Sequence, residues 1–333
     1  MARNTFFCID SHACANPVRV VAGGAPLLPG VSMAEKRMLF LEKHDWVRHA
    51  LMFEPRGHDA MSGSILYPSS REDCDVGVLF IEVSGCLPMC GAGTVGTVTV
   101  AIEEGLVVPK VEGRIALETP AGRVDIEYKK KDGYVEEVRF FNVASYLHEQ
   151  DIVLDVPGIG SLTVDLSYGG NYYIIVEPQE NYAGLDGLKA DDLVRMSQLV
   201  RTAAQKKLNP VHPEDERIRG VKHVMWCDKP KSPGASARNA VFYGDKAIDR
   251  SPCGTGSSAR VAQLVARGRL ALGETFIHES ITGTTFNCRA EEMLSVGEYK
   301  AVRPSVAGWA RVIGYNTIIV DDRDPLAHGF QIA

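Results

Sequence analysis

Two apolar runs along the chain meet the same sequel. VGVLFIEV (76–83) and NAVFYGD (239–245) are rich in β-branched and aromatic residues, which suits strands. Each is followed by a loop containing proline, then by Cys-Gly-x-Gly, then by a helical pattern. After Cys253, Val261, Leu264 and Val265 fall at i, i+3 and i+4 with Ala262 beside them. After Cys90, Val95, Val98 and Ile102 recur similarly, and Gly105 is placed to end that helix. Short β-rich segments (RVDIEYKK, EEVRFFNV, NYYIIVEP and YNTIIVDD) lie between and beyond these runs, separated by Gly, Pro and Asp turns. DDLVRMSQLVRTAAQKK (191–207) predicts an amphipathic helix that covers a barrel or sheet and carries no chemistry.

The likeness of the two stretches extends further. Cys90-Gly91-Ala92-Gly93-Thr94 matches Cys253-Gly254-Thr255-Gly256-Ser257, and fifteen residues past each cysteine stands a glycine, Gly105 or Gly268. Glu118-Thr119-Pro120-Ala121-Gly122 resembles Glu279-Ser280-Ile281-Thr282-Gly283. The offset is 163 residues at the cysteines and 161 at the glutamates, close to half of the 333-residue chain. A period that long does not suit a solenoid; it predicts a duplicated unit and two lobes.

Composition narrows the function. A net charge of −6 without a long basic run makes nucleic acid and anionic membrane surfaces poor partners. No apolar run approaches the roughly 18 residues of a membrane span, and the N-terminal stretch does not read as a signal peptide. The expected setting is cytoplasmic, with the eight cysteines reduced. No C-x-x-C occurs, and Cys86 and Cys90 lack a second ligand pair, so no metal site is expected. Cys8, Cys74, Cys227 and Cys288 read as small buried hydrophobes, and Cys14 and Cys86 lean the same way.

Cys90 and Cys253 read differently, because filler does not require the same flanking glycines twice. A thiol at the first turn of a helix lies in the field of unpaired N–H groups, which favours the thiolate. Glycines let the neighbouring amides approach an anion such as a carboxylate. One such unit suits a nucleophile. Two suit a carboxylate held between two helix N-termini with a thiol on each face of the adjacent carbon, as cofactor-free racemisation requires. Other motifs fit less well: a Walker A loop lacks its Lys-Ser/Thr, a dinucleotide fingerprint lacks its acidic residue, and a thiol hydrolase leaves the second copy unexplained.

At these residues the sequence resembles the proline racemase family. The motifs run in order across nearly the whole chain: Asp10-Ser11-His12 with Asn16-Pro17-Val18-Arg19, Arg56-Gly57-His58, Met89-Cys90-Gly91, Asp249 to Gly256, and His278-Glu279-Ser280. ALMFEPRGHDAMSGSILYP, GGNYYIIVEPQENY and GYNTIIVDDRDPLAHGF are similar to the 4-hydroxyproline 2-epimerase branch. The resemblance implies an α+β, diaminopimelate-epimerase-like fold: two pseudo-symmetric β-rich lobes, each around a central helix, with the active site at their interface. The first lobe would span 1–134 with a return at about 310–333, and the second 135–309. It implies no cofactor, pyridoxal phosphate included, no metal, and a small imino acid as partner; a homodimer is the expected assembly. Carried over, Cys90 and Cys253 are the two acid–base groups, and the amides at Gly91, Ala92, Gly254 and Thr255 hold the carboxylate. Asp249 binds the ring ammonium, or else caps its loop. His223 lines the pocket, or else is a satisfied strand histidine.

The chain departs from the family at one position: most relatives have His where Ala92 stands, which removes a side-chain hydrogen bond but not the amide. Relatives that dehydrate trans-3-hydroxyproline carry Thr in place of Cys253, which points away from dehydration. The implied activity is epimerisation of trans-4-hydroxy-L-proline to cis-4-hydroxy-D-proline. The alternatives are proline racemisation, epimerisation of 3-hydroxyproline, or a non-catalytic hydroxyproline-binding protein.

Overall fold

The computed structural model describes residues 3–30 and 32–332. The chain divides into two compact units, one ending at Phe140 and resuming at Gly308, the other Phe141–Ala307. The first carries β1 (Arg3–Ala13), β2 (Asn16–Gly23), α1 (Met33–Lys43), α2 (Asp45–Met52), β3 (Ser62–Tyr67), β4 (Val76–Glu82), β5 (Gly85–Leu87), α3 (Gly91–Glu103), β6 (Arg114–Thr119), β7 (Gly122–Lys131) and β8 (Tyr134–Phe141). The second carries β9 (Ser145–Val156), β10 (Gly160–Tyr168), β11 (Tyr172–Val176), α4 (Ala190–Lys207), β12 (Val211–His212), β13 (Asp215–Arg219), β14 (His223–Asp228), β15 (Ala237–Tyr243), β16 (Ala247–Ile248), α5 (Gly254–Ala266), β17 (Thr275–Glu279), β18 (Thr285–Val296) and β19 (Tyr299–Gly308). The last strand, β20 (Ala310–Asp321), belongs to the first unit and pairs with β1 along its length.

The duplication is visible in the ladders. In the first unit β1 and β2 are antiparallel, β2 and β3 parallel, β3 and β4 antiparallel, β4 and β6 parallel, β6 and β7 antiparallel, with β5 folded back on β4. In the second unit β10, β11, β14, β15, β17 and β18 repeat that alternation, with β16 folded back on β15. There the ladder also closes, because β18 pairs with β19, β19 with β9 and β9 with β10. The expected α+β architecture, β-rich units each built on a central helix, is the one that forms: α3 packs on β1, β2, β3 and β20, and α5 on β9, β10, β11 and β18.

Burial on both faces explains why the apolar runs of the second unit are continuous. In the second unit Tyr173, Ile175, Met225, Cys227 and Val241 cluster with Cys253 and Ala259 of the central helix region. Their chain neighbours Tyr172, Ile174, Val224, Trp226 and Phe242 join a separate core with Leu193, Val200 and Ala204 of α4. Both faces of these strands are therefore covered, and no polar alternation is needed. Trp226 Nε1 donates to Ser197 Oγ of α4 at 2.7 Å, which satisfies the indole in this buried setting.

The central helices end alike. Gly105 and Gly268 have φ of +64° and +66°, and the N–H of Leu106 and of Arg269 returns to the carbonyl of Ala101 and of Leu264. A glycine in the left-handed region at this position closes a helix without Cβ strain. The strand expected over 239–245 begins two residues earlier and stops at Tyr243, where Gly244 (φ +58°) starts the turn to β16. The helix expected over 191–207 is α4. Helices α1 and α2 were not expected: α1 buries Met33, Lys36 and Phe40 but leaves Met38 exposed, while α2 buries Val47, Ala50 and Leu51 at i, i+3 and i+4. No described helix is long and apolar enough to cross a membrane.

Candidate active site

Cys90 and Cys253 occupy the same place in the two units: each is the residue that caps the N-terminus of the central helix. Both helices are buried almost throughout and carry no acidic residue in the first turn, so their positive ends are not neutralised from within. Gly91 and Ala92 open α3, Gly254 and Thr255 open α5, and helix geometry gives their amides no intrahelical acceptor.

The glycine at the third helical position is fixed by the thiol. A Cβ on Gly93 would stand 3.0 Å from Cys90 Sγ and 2.9 Å from Phe80, and one on Gly256 would stand 3.0 Å from Cys253 Sγ and 2.9 Å from Met225. The sulfur folds back over the first turn in both copies, and a side chain at this position would displace it. The repeated Cys-Gly-x-Gly therefore has a steric reason beyond the approach of a carboxylate.

Around the sulfurs the two copies diverge. Cys90 has extended backbone (φ −138°, ψ 119°), and its Sγ accepts from Gly93 N at 3.2 Å. The thiol also lies 2.9 Å from Oε1 of Glu82, the last residue of β4. Glu82 is 5% exposed; Ser84 Oγ donates to its Oε2 at 2.8 Å and Ser62 Oγ to its Oε1 at 3.4 Å. Burial raises the Glu82 carboxyl above the usual carboxylate range, against the lowering by those hydrogen bonds and by Arg48.

Cys253 has φ +62° and ψ 108°, a backbone conformation that a residue with a Cβ rarely adopts, and it makes no side-chain cap bond. The loop before it is pinned. Asp249 Oδ1 accepts from both the amide and the hydroxyl of Ser251 at 2.8 Å, and Ser251 Oγ accepts from Cys253 N at 3.1 Å. Asp249, 6% exposed, thus caps its loop through Oδ1. Beside the sulfur stands Tyr173 of β11, with its hydroxyl 3.4 Å from Cys253 Sγ and 2.6 Å from Thr255 Oγ1.

His223 lies behind that tyrosine. Its ring stacks on Tyr173 at 4.9 Å between centroids, and both ring nitrogens are buried without a hydrogen bond. The Phe242 backbone is close enough to favour the charged ring slightly, without hydrogen-bond geometry, but burial dominates and pushes the pKa down to about 3. The imidazole is neutral at ordinary pH. It does not form the satisfied strand histidine that its position in β14 allowed for.

Glu82, Tyr173 and Ser251 were not singled out from the sequence. Glu82 had a signal, since a lone carboxylate ends a strand that is buried at every position. Other motif residues serve the scaffold. Arg19 pairs with Asp10 through two 2.8 Å bonds and donates to the carbonyls of Leu51 and Arg56. His278, fully buried, contacts Asn239 and Ser257, both of which donate to the carbonyl of Pro252 just before Cys253. Cys8 and Cys86 are each pushed up to about 12 and Cys227 to about 11, chiefly by burial, which leaves them as inert thiols at neutral pH.

A β-rich fold in which a cysteine-capped central helix occurs twice defines a class, and comparison with known proteins gives the family. The family model described as proline racemase matches residues 8–331. The chain is 66% identical over 330 residues to 4-hydroxyproline 2-epimerase 2 of Rhizobium rhizogenes, with 99% of each chain covered. It is 58% identical over 333 residues to 4-hydroxyproline epimerase of Brucella ovis, with both chains fully covered. Among solved structures, a hydroxyproline epimerase from Agrobacterium vitis with bound trans-4-hydroxy-L-proline superposes with a TM-score of 0.90 at 29% identity, covering 99% of this chain and 95% of that one. A probable proline racemase from Agrobacterium radiobacter with bound carbonate gives a TM-score of 0.91 at 32% identity, covering 98% and 96%. The chain belongs to the proline racemase family, a family of isomerases.

Proposed function

We propose that the protein is a cofactor-independent 4-hydroxyproline 2-epimerase that inverts Cα of trans-4-hydroxy-L-proline to give cis-4-hydroxy-D-proline. The observation that carries the reading is the repeated pair of thiols, each capping a buried helix whose first turn is shaped around its sulfur. The curated relatives at 58–66% identity and the bound imino acid of the Agrobacterium vitis enzyme support the choice of substrate.

In this reading the substrate carboxylate lies against the amides of Gly91, Ala92, Gly254 and Thr255. As the Cα–H bond breaks, negative charge moves onto the carboxylate oxygens, where those dipoles stabilise it. One cysteine, as thiolate, takes the Cα proton, and the other, as thiol, delivers a proton to the opposite face. The two thiols exchange protonation states in each turnover, so forward and reverse reactions use them in opposite roles. Asp249 holds the ring ammonium, and His223 stiffens the wall that Tyr173 presents. Ala92 supplies its amide alone, with no side-chain hydrogen bond to the substrate. The reading also places the enzyme in the cytoplasm as a homodimer, which fractionation and light scattering test.

The experiment is Cα deuterium exchange in D2O over a panel of imino acids. Exchange greatest on trans-4-hydroxy-L-proline supports this reading. A maximum on proline or on 3-hydroxyproline transfers it to the corresponding alternative. Calorimetric binding without exchange on any substrate points to a binding protein.

A further inference from the structure

Glu82 is unlike anything at the corresponding place in the second unit. Registers align the copies: Ser62 faces Glu82 across β3 and β4, and one residue in from the matching ladder of β14 and β15, Val224 faces Phe242, which puts His223 opposite Tyr243. The strand that ends in a carboxylate in one unit thus ends in Tyr243 in the other. Near Cys253 Sγ stand the hydroxyls of Tyr173 and Thr255.

The surroundings of Glu82 leave it little reason to be ionised. Arg48 on α2 is the charged group facing it, and that guanidinium is committed elsewhere: Nε and Nη2 bond to Asp45 at 2.7 and 2.6 Å, and Nη1 to the backbone carbonyl of Glu82 at 2.9 Å. From β3 comes the Ser62 hydroxyl, from the turn the Ser84 hydroxyl, and from the helix cap the Cys90 thiol. A carboxylate without a cation on its oxygens is costly to bury, and burial moves this one toward its neutral form.

Resting on the two-thiol reading above, we propose that Glu82 is the proton partner of Cys90, the thiol and the carboxyl holding one proton between them so that Cys90 reacts as a thiolate backed by a carboxylic acid. The transfer is balanced within the pair. The S–H bond breaks, an O–H bond forms on Glu82 Oε1, and the electron pair stays on sulfur. When substrate is bound, the Cα–H bond breaks, its proton goes to Cys90 Sγ and its electrons to Cα. Cys253 supplies the proton on the other face and becomes the thiolate. The two acid–base thiols are therefore inequivalent, although the duplication puts each at the head of a central helix.

The test measures alkylation of Cys90 by iodoacetamide in a Cys253→Ser background, located by mass spectrometry, across about pH 5–9. With Glu82 the rate levels to a plateau on the acid side, because the pair keeps a fixed thiolate fraction until it gains a second proton. In Glu82→Gln it falls about tenfold per pH unit, leaving Cys90 at least about tenfold slower at the acid end. A purely structural carboxylate gives the opposite sign, since removing its negative charge makes the thiolate easier to form. Faster or unchanged alkylation in Glu82→Gln overturns the proposal. Unchanged alkylation of Cys253 in Glu82→Gln/Cys90→Ser shows that the variant is folded. Should it not fold, thiolate absorbance decides without touching Glu82, taken as the difference between Cys253→Ser and Cys253→Ser/Cys90→Ser. A signal persisting on the acid side agrees with the proposal, and one lost like that of an ordinary thiol overturns it. Neither readout needs turnover, so absent Cα exchange in the parent would count against the epimerase reading alone.

Discussion

The sulfur of Cys253 and the bare α-carbon of Gly256 are matched: a methyl on that carbon would lie 3.0 Å from Sγ and 2.9 Å from the Met225 side chain. Gly93 stands in the same relation to Cys90. Gly93→Ala and Gly256→Ala should each slow Cα exchange by about 100-fold, because the thiol must leave its place over the first turn. Alanine also favours the helix intrinsically, so circular dichroism should still report a folded protein. Full activity in either variant would show that the sulfur position is not critical.

Strain in the turn between β1 and β2 offers a separate stability test. Ala15 has φ +78° and follows Cys14 at φ +44°. A left-handed residue with a Cβ costs about 1–2 kcal/mol, while glycine has no such penalty but loses more chain entropy on folding. Ala15→Gly should leave a net gain of roughly 0.5–1 kcal/mol in urea unfolding. A loss of stability would mean that the alanine methyl contributes more by packing than its backbone costs.

His223 sets part of the acid response. Its pKa is about 3 in the folded protein and near the ordinary 6.5 when unfolded, so below the unfolded value the unfolded chain binds the extra proton. The neutral ring's contribution is present above about pH 6.5 and lost as pH falls toward the folded value, at about 1.4 kcal/mol per unit. Buried His278 is shifted in the same direction and adds its own slope. In His223→Phe, which keeps a ring against Tyr173, the stability lost between pH 7 and 5 should shrink by about 2 kcal/mol. An unchanged pH dependence would show that the ring is charged in the fold or reachable by solvent.

Glu118 and Glu279, the second matched pair of the repeat, hold equivalent loops. Glu118 accepts from the amides of Met33 and Ser70 and from the hydroxyls of Ser69 and Ser70, at 2.6–3.0 Å. Glu279 accepts from the amides of Lys231 and Ser232 and from the Ser232 hydroxyl, at 2.6–3.0 Å. Those hydrogen bonds hold both carboxyls below their ordinary range despite burial. Their stabilisation is present above the unfolded value and lost as pH falls through the folded one. Glu118→Ala and Glu279→Ala should each cost roughly 2–3 kcal/mol at pH 7, because buried donors are left unpaired. The difference from the parent should narrow in acid.

Much of this was legible in the sequence. The spacing of Val95, Val98 and Ile102 and of Val261, Leu264 and Val265 marks helices, and Gly105 lies just past the end of its helix. Repetition singled out Cys90 and Cys253, which a single copy could not have done. What escaped notice depends on long-range pairing. Tyr173 reaches Cys253 across 80 residues, and the barrel closure of β19 on β9 joins Ala301 to Tyr146. Glu82 is eight residues from Cys90, yet only the turn through β5 turns that spacing into a hydrogen bond. Helix α2 holds Arg48 against the backbone of Glu82, a contact across 34 residues that local spacing does not reveal.

The two-thiol epimerisation is tested most directly by incubating trans-4-hydroxy-L-proline in D2O with the parent, Cys90→Ser and Cys253→Ser proteins, and following Cα by NMR. The parent should form cis-4-hydroxy-D-proline carrying deuterium at Cα. Neither serine variant should invert it, since a hydroxyl is far too weak an acid to replace either thiol. Absence of exchange in the parent, or inversion that survives in both serine variants, would contradict the assignment of Cys90 and Cys253.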